Sequence, residues 1–591
     1  MGRKICPSAL LGKAKLSIFY GLLIVFYSVK SLPVLLVVSA LFFLISYVLP
    51  NHYFPWVVAY QEFSAFLAVF FLLGFAFFNT ASFFAPLYSL FFLLLAFFPL
   101  GGGVVGNIYF FGDAWIAVLY LLCFFVTILL GYNFGTDALS RKKLLYCLFV
   151  LLLVAAVISV WVALRQWLML SGSIWVADVP FGNRPFANFA QPNNLATFLC
   201  MAIAAAWYFY ERKVLGRLSA SLLVLFLLLG VVLTQSRTPW VGAVVIALFW
   251  LWKSRTLPLR LSMHALLLWL GAYMALVLSL SAIGDLLFLP TTGLLERAQA
   301  LHRWPLWVQL WMAVLEGPFW GYGWNQVSIA QVSISQIYPV QLMVEHSHNI
   351  LLDLLIWNGP LLGLAIICAA AFWLAFLGWR SRSLESIFCL IVVGVVLVHG
   401  MLELPLEYGF FLFPVGLLLG LVAGEQRSRR ELLVPRWLVG AVLIASAAMF
   451  AWVWHEYRVI EEDHRLMRFE SSQIGDLKAE QAAPDVLLLT QLREFIRFAR
   501  TPAAEGMSSE QLEWMRKVAH RYPYSPSLFR YSLALALNGK TKQASDQLRV
   551  LRSLYGDGHY QEGILAFKSM EEKHPQLRGV LQTLKTTESS K

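Results

Sequence analysis

Little of this chain is charged. Asp, Glu, Lys and Arg make up 13% of its 591 residues, about half the share in soluble domains, and that shortage excludes a soluble globular protein. Acids are the scarcer sign: 33 Asp and Glu stand against 45 Lys and Arg, a formal net charge of +12. The surplus does not point to nucleic acid, because the cations lie mostly in short loops between apolar runs, where they report membrane orientation. Cysteine is scarce as well. Cys6, Cys123, Cys147, Cys200, Cys368 and Cys389 lie in the N-terminal segment or inside apolar runs, with no CxxC pair, so neither a disulfide framework nor a thiolate metal site is expected. No small-residue cleavage site follows Arg3, Lys4, Lys13 and Lys15, and the N-terminus reads as an uncleaved anchor.

What the chain has instead is apolar length. With 59% hydrophobic residues, it carries thirteen candidate membrane spans between positions 32 and 454, among them 56–78, 83–98, 115–130, 350–377 and 437–454, each able to cross or nearly cross a ~30 Å hydrocarbon core. A shorter run at 16–27 is either interfacial or an extension of the first helix. The expected fold is all-α, a polytopic helical membrane bundle of about 12 to 14 spans. Loops holding twenty Lys and Arg alternate with loops holding four, namely Arg184, Arg237, Arg297 and Arg303. The basic side is then cytoplasmic, and an odd number of crossings carries the tail to the opposite face. From about 456 the chain turns polar and helix-periodic. Candidate helices at 526–539, 542–554 and 560–573 resemble tetratricopeptide units, with an unspecific helical domain as the alternative. The connection at about 284–349 is the other long extramembrane piece, of a length that is usually functional.

Polar clusters that topology does not explain all fall opposite the basic side. They are RPFANFAQPNN at 184–194, QSRT at 235–238, Arg297, His302 and Arg303 in the long loop, EHSHN at 345–349 and ELPLEY at 403–408. Arginines there run against the positive-inside bias. A diphosphate would balance them, since the guanidinium fork binds phosphate oxygens in pairs; a nearby carboxylate or lipid headgroup is the plainer alternative. Arg237 stands out because only a few residues separate the apolar runs around it, where a lone charge is expensive. His346 and His348 precede an apolar helix, so one should face a site and the other solvent. A neutral imidazole suits removal of a hydroxyl proton, although histidines at helix starts are often structural. Zinc is not expected, because ligands two apart on a helix diverge and no third is marked. Glu403 and Glu407 are four apart, but Pro405 between them favours a turn, and either could position an acceptor, pair with Arg297 or Arg303, or be solvated.

These segments together resemble a known family. RPFANFAQPNN resembles the RPFGNFAQPNN-type segment of the bacterial O-linked protein oligosaccharyltransferases, the general and pilin glycosylation ligases, with Ala187 in place of Gly. TQSRT at 234–238, the region from Arg303 to GPFWGYGW, and HSHNILL at 346–352 resemble the core of the wider O-antigen ligase and polymerase superfamily. The resemblance implies a GT-C-like membrane bundle with N-terminal helices at 1–183, a catalytic core at 184–424, a last span at 425–455 and a periplasmic, tetratricopeptide-like domain at 456–591. It implies transfer of an oligosaccharide from undecaprenyl-diphosphate to Ser or Thr of pilin or another periplasmic protein, at the inner membrane, without metal or cofactor. Carried over by position, His348 and Arg237 are the catalytic residues. Arg184, Gln191, Asn194, Arg297, Arg303, His346, Asn349, Glu403, Glu407 and Tyr408 are the candidate substrate-binding ones. The same chemistry on lipid A core or a growing polysaccharide is the alternative, and a transporter without covalent chemistry is a third, disfavoured because no internal repeat is visible and the ionisable residues cluster at one face.

Overall fold

The computed structural model describes residues 34–170, 172–179, 183–289, 303–474 and 483–589. In chain order the elements are α1 (Val34–Val48), α2 (Ala59–Asn79), β1 (Phe83–Pro86), α3 (Ser89–Val105), α4 (Phe111–Gly135), α5 (Ala138–Trp167), α6 (Pro192–Glu211), α7 (Arg217–Leu233), α8 (Thr238–Ser254), α9 (Met263–Leu286), α10 (Arg303–Glu316) and α11 (Val327–Ile334). Then follow α12 (Ile350–Arg380), α13 (Leu384–Gly400), a 3-10 turn (Pro405–Glu407), α14 (Gly409–Gln426), β2 (Glu431–Val434), α15 (Arg436–Ser471), α16 (Thr490–Arg500), α17 (Ser509–Arg521), α18 (Ser525–Leu537), α19 (Thr541–Tyr555), α20 (Asp557–Met570) and α21 (Leu577–Ser589). Among the described residues, seven helices are long and apolar enough to cross a membrane and five more are apolar but shorter. The all-α, polytopic expectation holds. The apolar run at 16–27 lies outside the described residues, as do Arg297 and His302.

One expected span is misplaced at its start. Residues 83–86 form a strand, not helix, because the residue before a proline is pushed out of the α region and Pro86 closes the segment. β1 pairs antiparallel with β2, Phe83 opposite Val434, and the Asn133 amide brackets Phe84, accepting from its N–H at 2.8 Å and donating to its carbonyl at 2.9 Å. At the other extreme, α15 has 36 residues, about 54 Å at 1.5 Å per residue. That is far more than a bilayer needs, so the last expected span runs on as polar helix.

The chain divides into two compact units, one of residues 1–92, 123–299 and 374–448, the other of 93–122, 300–373 and 449–591. In the first, α4 and α14 cross at glycine. A Cβ on Gly420 would lie 2.2 Å from the Ile128 carbonyl, and one on Gly131 2.2 Å from that of Leu417. Small residues at such crossings let helix backbones approach where no hydrophobic effect drives them together. Two buried charges in this unit are matched: Glu385 meets Arg212 and the Tyr208 hydroxyl, and Lys253 donates to the Ser381 carbonyl at 2.9 Å.

In the second unit the tail helices surround an apolar core that includes Met515, Leu528, Leu548 and Leu577. The expected helices at 526–539, 542–554 and 560–573 are α18, α19 and α20, each packed on the next. α17 is closed by a capping box between Ser508 and Gln511. Arg500 joins α16 to α15 through Asp463 (2.8 and 3.0 Å) and Glu470 (2.7 Å). Glu456 accepts three successive backbone N–H groups, those of Leu487, Leu488 and Leu489.

Candidate functional site

In the first unit the 184–194 segment is a shaped loop leading into α6. One side chain from α5 and one of its own shape it. Gln166, at the end of α5, accepts from the N–H groups of Phe186 and Ala187 (3.1 and 2.7 Å) and donates to the carbonyls of Ala177 and Ala187. Asn188, 3% exposed, donates to the carbonyls of Val48 (2.7 Å) and Trp175 and accepts from Ala177 N–H. Phe189 anchors the loop among the rings of Tyr47, Phe198, Phe410 and Phe411. Ala187 and Ala190 hold positive φ, +50° and +58°, so the glycine of the RPFGNFAQPNN pattern marks a left-handed backbone position that alanine occupies here under strain.

Pro192 opens α6 at a position where a missing N–H costs nothing. Gln191, just before it, donates to Glu403 Oε2 at 3.3 Å, and Asn193 donates to Oε1 at 3.1 Å. Glu403 is 3% exposed. The protein-ligase segment therefore binds one buried carboxylate at two points, and Gln191, expected to contact substrate, is also part of that scaffold. Pro405 does break the helix between the two glutamates: Glu407 ends the 3-10 turn and Tyr408 follows it. Burial pushes the Tyr408 phenol up, with the Glu407 and Glu62 carboxylates adding to the shift and the Asn194 amide opposing it. Glu62, fully buried in α2, accepts from Gly409 N–H at 2.8 Å. Arg184 reaches the Gln235 carbonyl at 3.5 Å, and burial with the neighbouring Arg237 charge lowers its pKa. Two guanidiniums thus stand close enough to repel, an arrangement an anion relieves. Arg237 is exposed at the start of α8. Beside it, Thr238 lines an apolar cavity of about 550 Å³ between α6, α7, α8 and α9 that reaches Arg217 and Arg260 at its other end.

In the second unit the 345–349 segment is not helical. It bends before α12, so the two imidazoles interact and the separation expected of a helix does not apply. Ser347 is fixed on three sides: its N–H donates to Asp353 Oδ1 (2.9 Å), its carbonyl accepts from Trp307 Nε1 (2.9 Å), and its Oγ donates to the Asn349 carbonyl (2.8 Å). Asn349 caps α12, its Oδ1 accepting from Leu351 N–H at 3.0 Å. His348 has φ +57°. Its pKa is lowered to about 4 by burial first, then by the charges of Arg303 and His346. The GPFWGYGW segment serves the same helix. Tyr322 and Gly323 N–H groups donate to the carbonyls of Ile356 and Trp357 (2.8 and 3.1 Å) where Gly359 interrupts α12 at φ +77°.

The structure thus gathers Arg184, Arg237, Gln191, Asn194, Glu403, Glu407 and Tyr408 in one unit and Arg303, His346, His348 and Asn349 in the other. Glu62, Gln166 and the buried His399 were not singled out from sequence, and Asn188 and Asn193 only as members of the 184–194 segment. Glu62 carries a legible signal, a lone acid within an apolar run. Gln166 carries none, because its partners lie twenty residues on and only the fold joins them.

Three family profiles match: protein glycosylation ligase over residues 185–210, O-antigen ligase over 222–368, and the C-terminal part of a virulence factor membrane-bound polymerase over 387–569. Two relatives come from Acinetobacter baylyi. A general O-oligosaccharyltransferase is 29% identical over 529 residues, covering 88% of this chain and 92% of the relative. A ComP-specific O-oligosaccharyltransferase is 26% identical over 530, covering 87% and 94%. No solved structure matches. The relatives align over nearly their whole length and the protein-ligase profile falls on the loop that grips Glu403, so the chain is similar along most of its length to bacterial O-oligosaccharyltransferases and carries O-antigen ligase and protein glycosylation ligase segments.

Proposed function

We propose that the chain transfers a preassembled oligosaccharide from undecaprenyl-diphosphate to a Ser or Thr hydroxyl of a pilin or other exported protein, on the periplasmic face of the bacterial inner membrane. The observation that carries this reading is the protein-glycosylation-ligase segment folded against buried Glu403.

The acceptor oxygen attacks the anomeric carbon while the bond from that carbon to the diphosphate oxygen breaks, with inversion. The lipid diphosphate leaves as an anion, so no strong general acid is needed. Arg184 and Arg237, close enough for their charges to repel, gain most when that charge grows, which is the electrostatic term that stabilises a transition state more than a ground state. The cavity beside Thr238 suits the donor's lipid chain, since it is apolar and runs along most of α7. His348 takes the hydroxyl proton. A base of pKa about 4 is weak at neutral pH, but part of the depression is Arg303's charge, which an anion beside Arg303 offsets. Gln191, Asn194, Asn349 and Glu407 offer amide and carboxylate groups to sugar hydroxyls, and Tyr408 orients donor or acceptor. The basic loops then face the cytoplasm with the N-terminus, and the tail helices face the periplasm.

The test is the intact mass of a co-expressed pilin in a host that supplies a lipid-linked glycan and lacks its own ligases. A glycan-sized gain with the wild type and none with His348→Ala is expected. Glycan on lipid A core or in longer polymer, with pilin unmodified, would move the chain to the ligase or polymerase side of its superfamily.

A further inference from the structure

We propose that Tyr524 and Arg521, at the junction of α17 and α18 in the tail, are positioning residues for the His346–His348 loop and act through Glu345. The inference rests on the reading of His348 as proton acceptor.

Glu345 directly precedes the histidine loop. Its Oε1 accepts from the Tyr524 hydroxyl at 2.7 Å, and its Oε2 lies 3.8 Å from Arg521 Nη1. Arg521 is immobilised in its turn. It is 7% exposed, its Nε and Nη2 grip Asp113 Oδ2 and Oδ1 at 3.0 and 2.9 Å, and its carbonyl accepts from Ser328 Oγ at 2.8 Å. A paired guanidinium held by a buried carboxylate is a fixed reference point. The loop is thus pinned upstream of His346 by the tail and at Ser347 by α10 and α12.

His348 needs such pinning. A non-glycine residue at φ +57° persists only where surrounding contacts over-determine it. Burial and the charges of Arg303 and His346 depress its pKa, while Glu345 is engaged by Tyr524 and Arg521. What Glu345 transmits is therefore backbone position. The tail holds the base where it must meet the hydroxyl, and misplacement by about 1 Å can cost about a hundredfold in rate.

The experiment is steady-state transfer by the purified full-length protein, with lipid-linked glycan as donor and pilin as acceptor. Tyr524→Phe should lower kcat about tenfold or more with donor KM within about twofold, and Glu345→Ala should do the same. The double variant should be no slower than either, because both cut one link. Glu345→Gln keeps an acceptor for the Tyr524 hydroxyl and should recover most of the rate lost in Glu345→Ala, even if Tyr524→Phe accumulates poorly. Unchanged kcat in Tyr524→Phe, multiplying losses in the double variant, or no recovery by Gln would each overturn the proposal. His348→Ala alongside separates the two readings: if it is dead while Tyr524→Phe is wild type, only the positioning role fails. If His348→Ala keeps full activity, there is no base to position and both fail.

Discussion

His348 is the proposed proton acceptor, and its environment makes a signed prediction. Its pKa of about 4 lies below the usual 6.5, so the fold favours neutral imidazole. That contribution to stability is fully present above about pH 6.5 and is lost as pH falls through about 4. A proton acceptor must be neutral, so kcat/KM should stay flat from pH 8 to about 5 and fall near pH 4. Arg303→Gln removes one of the depressing charges and should move this acid limb to higher pH. Donor binding should act the same way, placing the limb of kcat above that of kcat/KM; coincident limbs would show that no anion reaches Arg303. Ala187 makes a second residue-scale case. At φ +50° its Cβ is strained by about 1 kcal/mol, and Ala187→Gly should raise the thermal midpoint of the purified protein by a few degrees or leave it unchanged, with transfer intact. A lower midpoint would mean that the chain entropy of glycine outweighs the strain.

Among elements, the α4 and α14 crossing is set by hydrogen atoms where other helices carry side chains. Gly131, Gly135, Gly420 and Gly424 each place a hypothetical Cβ within 2.4 Å of a carbonyl on the other helix, and backbone on both sides leaves nothing flexible to yield. Gly420→Leu should therefore cut the level of folded protein in membranes severalfold, whereas Gly394→Ala, with open space around its Cβ, should not; equal levels would mean that the crossing is looser than described. The spans themselves were legible in sequence because length and hydropathy alone define them. Strand β1 was not, since its partner lies some 350 residues away and the local signal is one proline in an aromatic run. The clusters at 184–194, 345–349 and 403–408 were legible as polar residues in apolar surroundings. Their division of labour was not: Gln191 and Asn193 meet Glu403 across more than 200 residues, and only tertiary contact tells a scaffold amide from one that meets substrate.

On the scale of the whole molecule, the tail is joined to membrane-spanning helix by a buried ion pair, and this decides what truncation does. Asp113 sits at the start of α4, 2% exposed, with both oxygens on Arg521. Gly112 N–H donates to Thr490 Oγ1 at 2.8 Å one residue earlier. Deleting the chain after Glu470 removes both partners and leaves a carboxylate buried without its cation, a loss of about 3 to 5 kcal/mol where one member of a buried pair goes. The truncated protein should accumulate poorly for that reason alone. Asp113→Asn in the truncated chain removes the orphan charge and should restore its level in membranes, and if it does not, the ion pair is not what ties tail to membrane. In that restored background Arg184 and Arg237 keep their own unit's contacts, so binding of the lipid-linked donor should persist. Transfer to the acceptor protein should fall by at least tenfold, because Glu345 has lost Tyr524 and Arg521 together. Loss of donor binding and transfer to the same extent would assign the tail to stability and nothing more. Donor binding kept while transfer is lost is the outcome expected of a domain that holds the histidine loop for its acceptor.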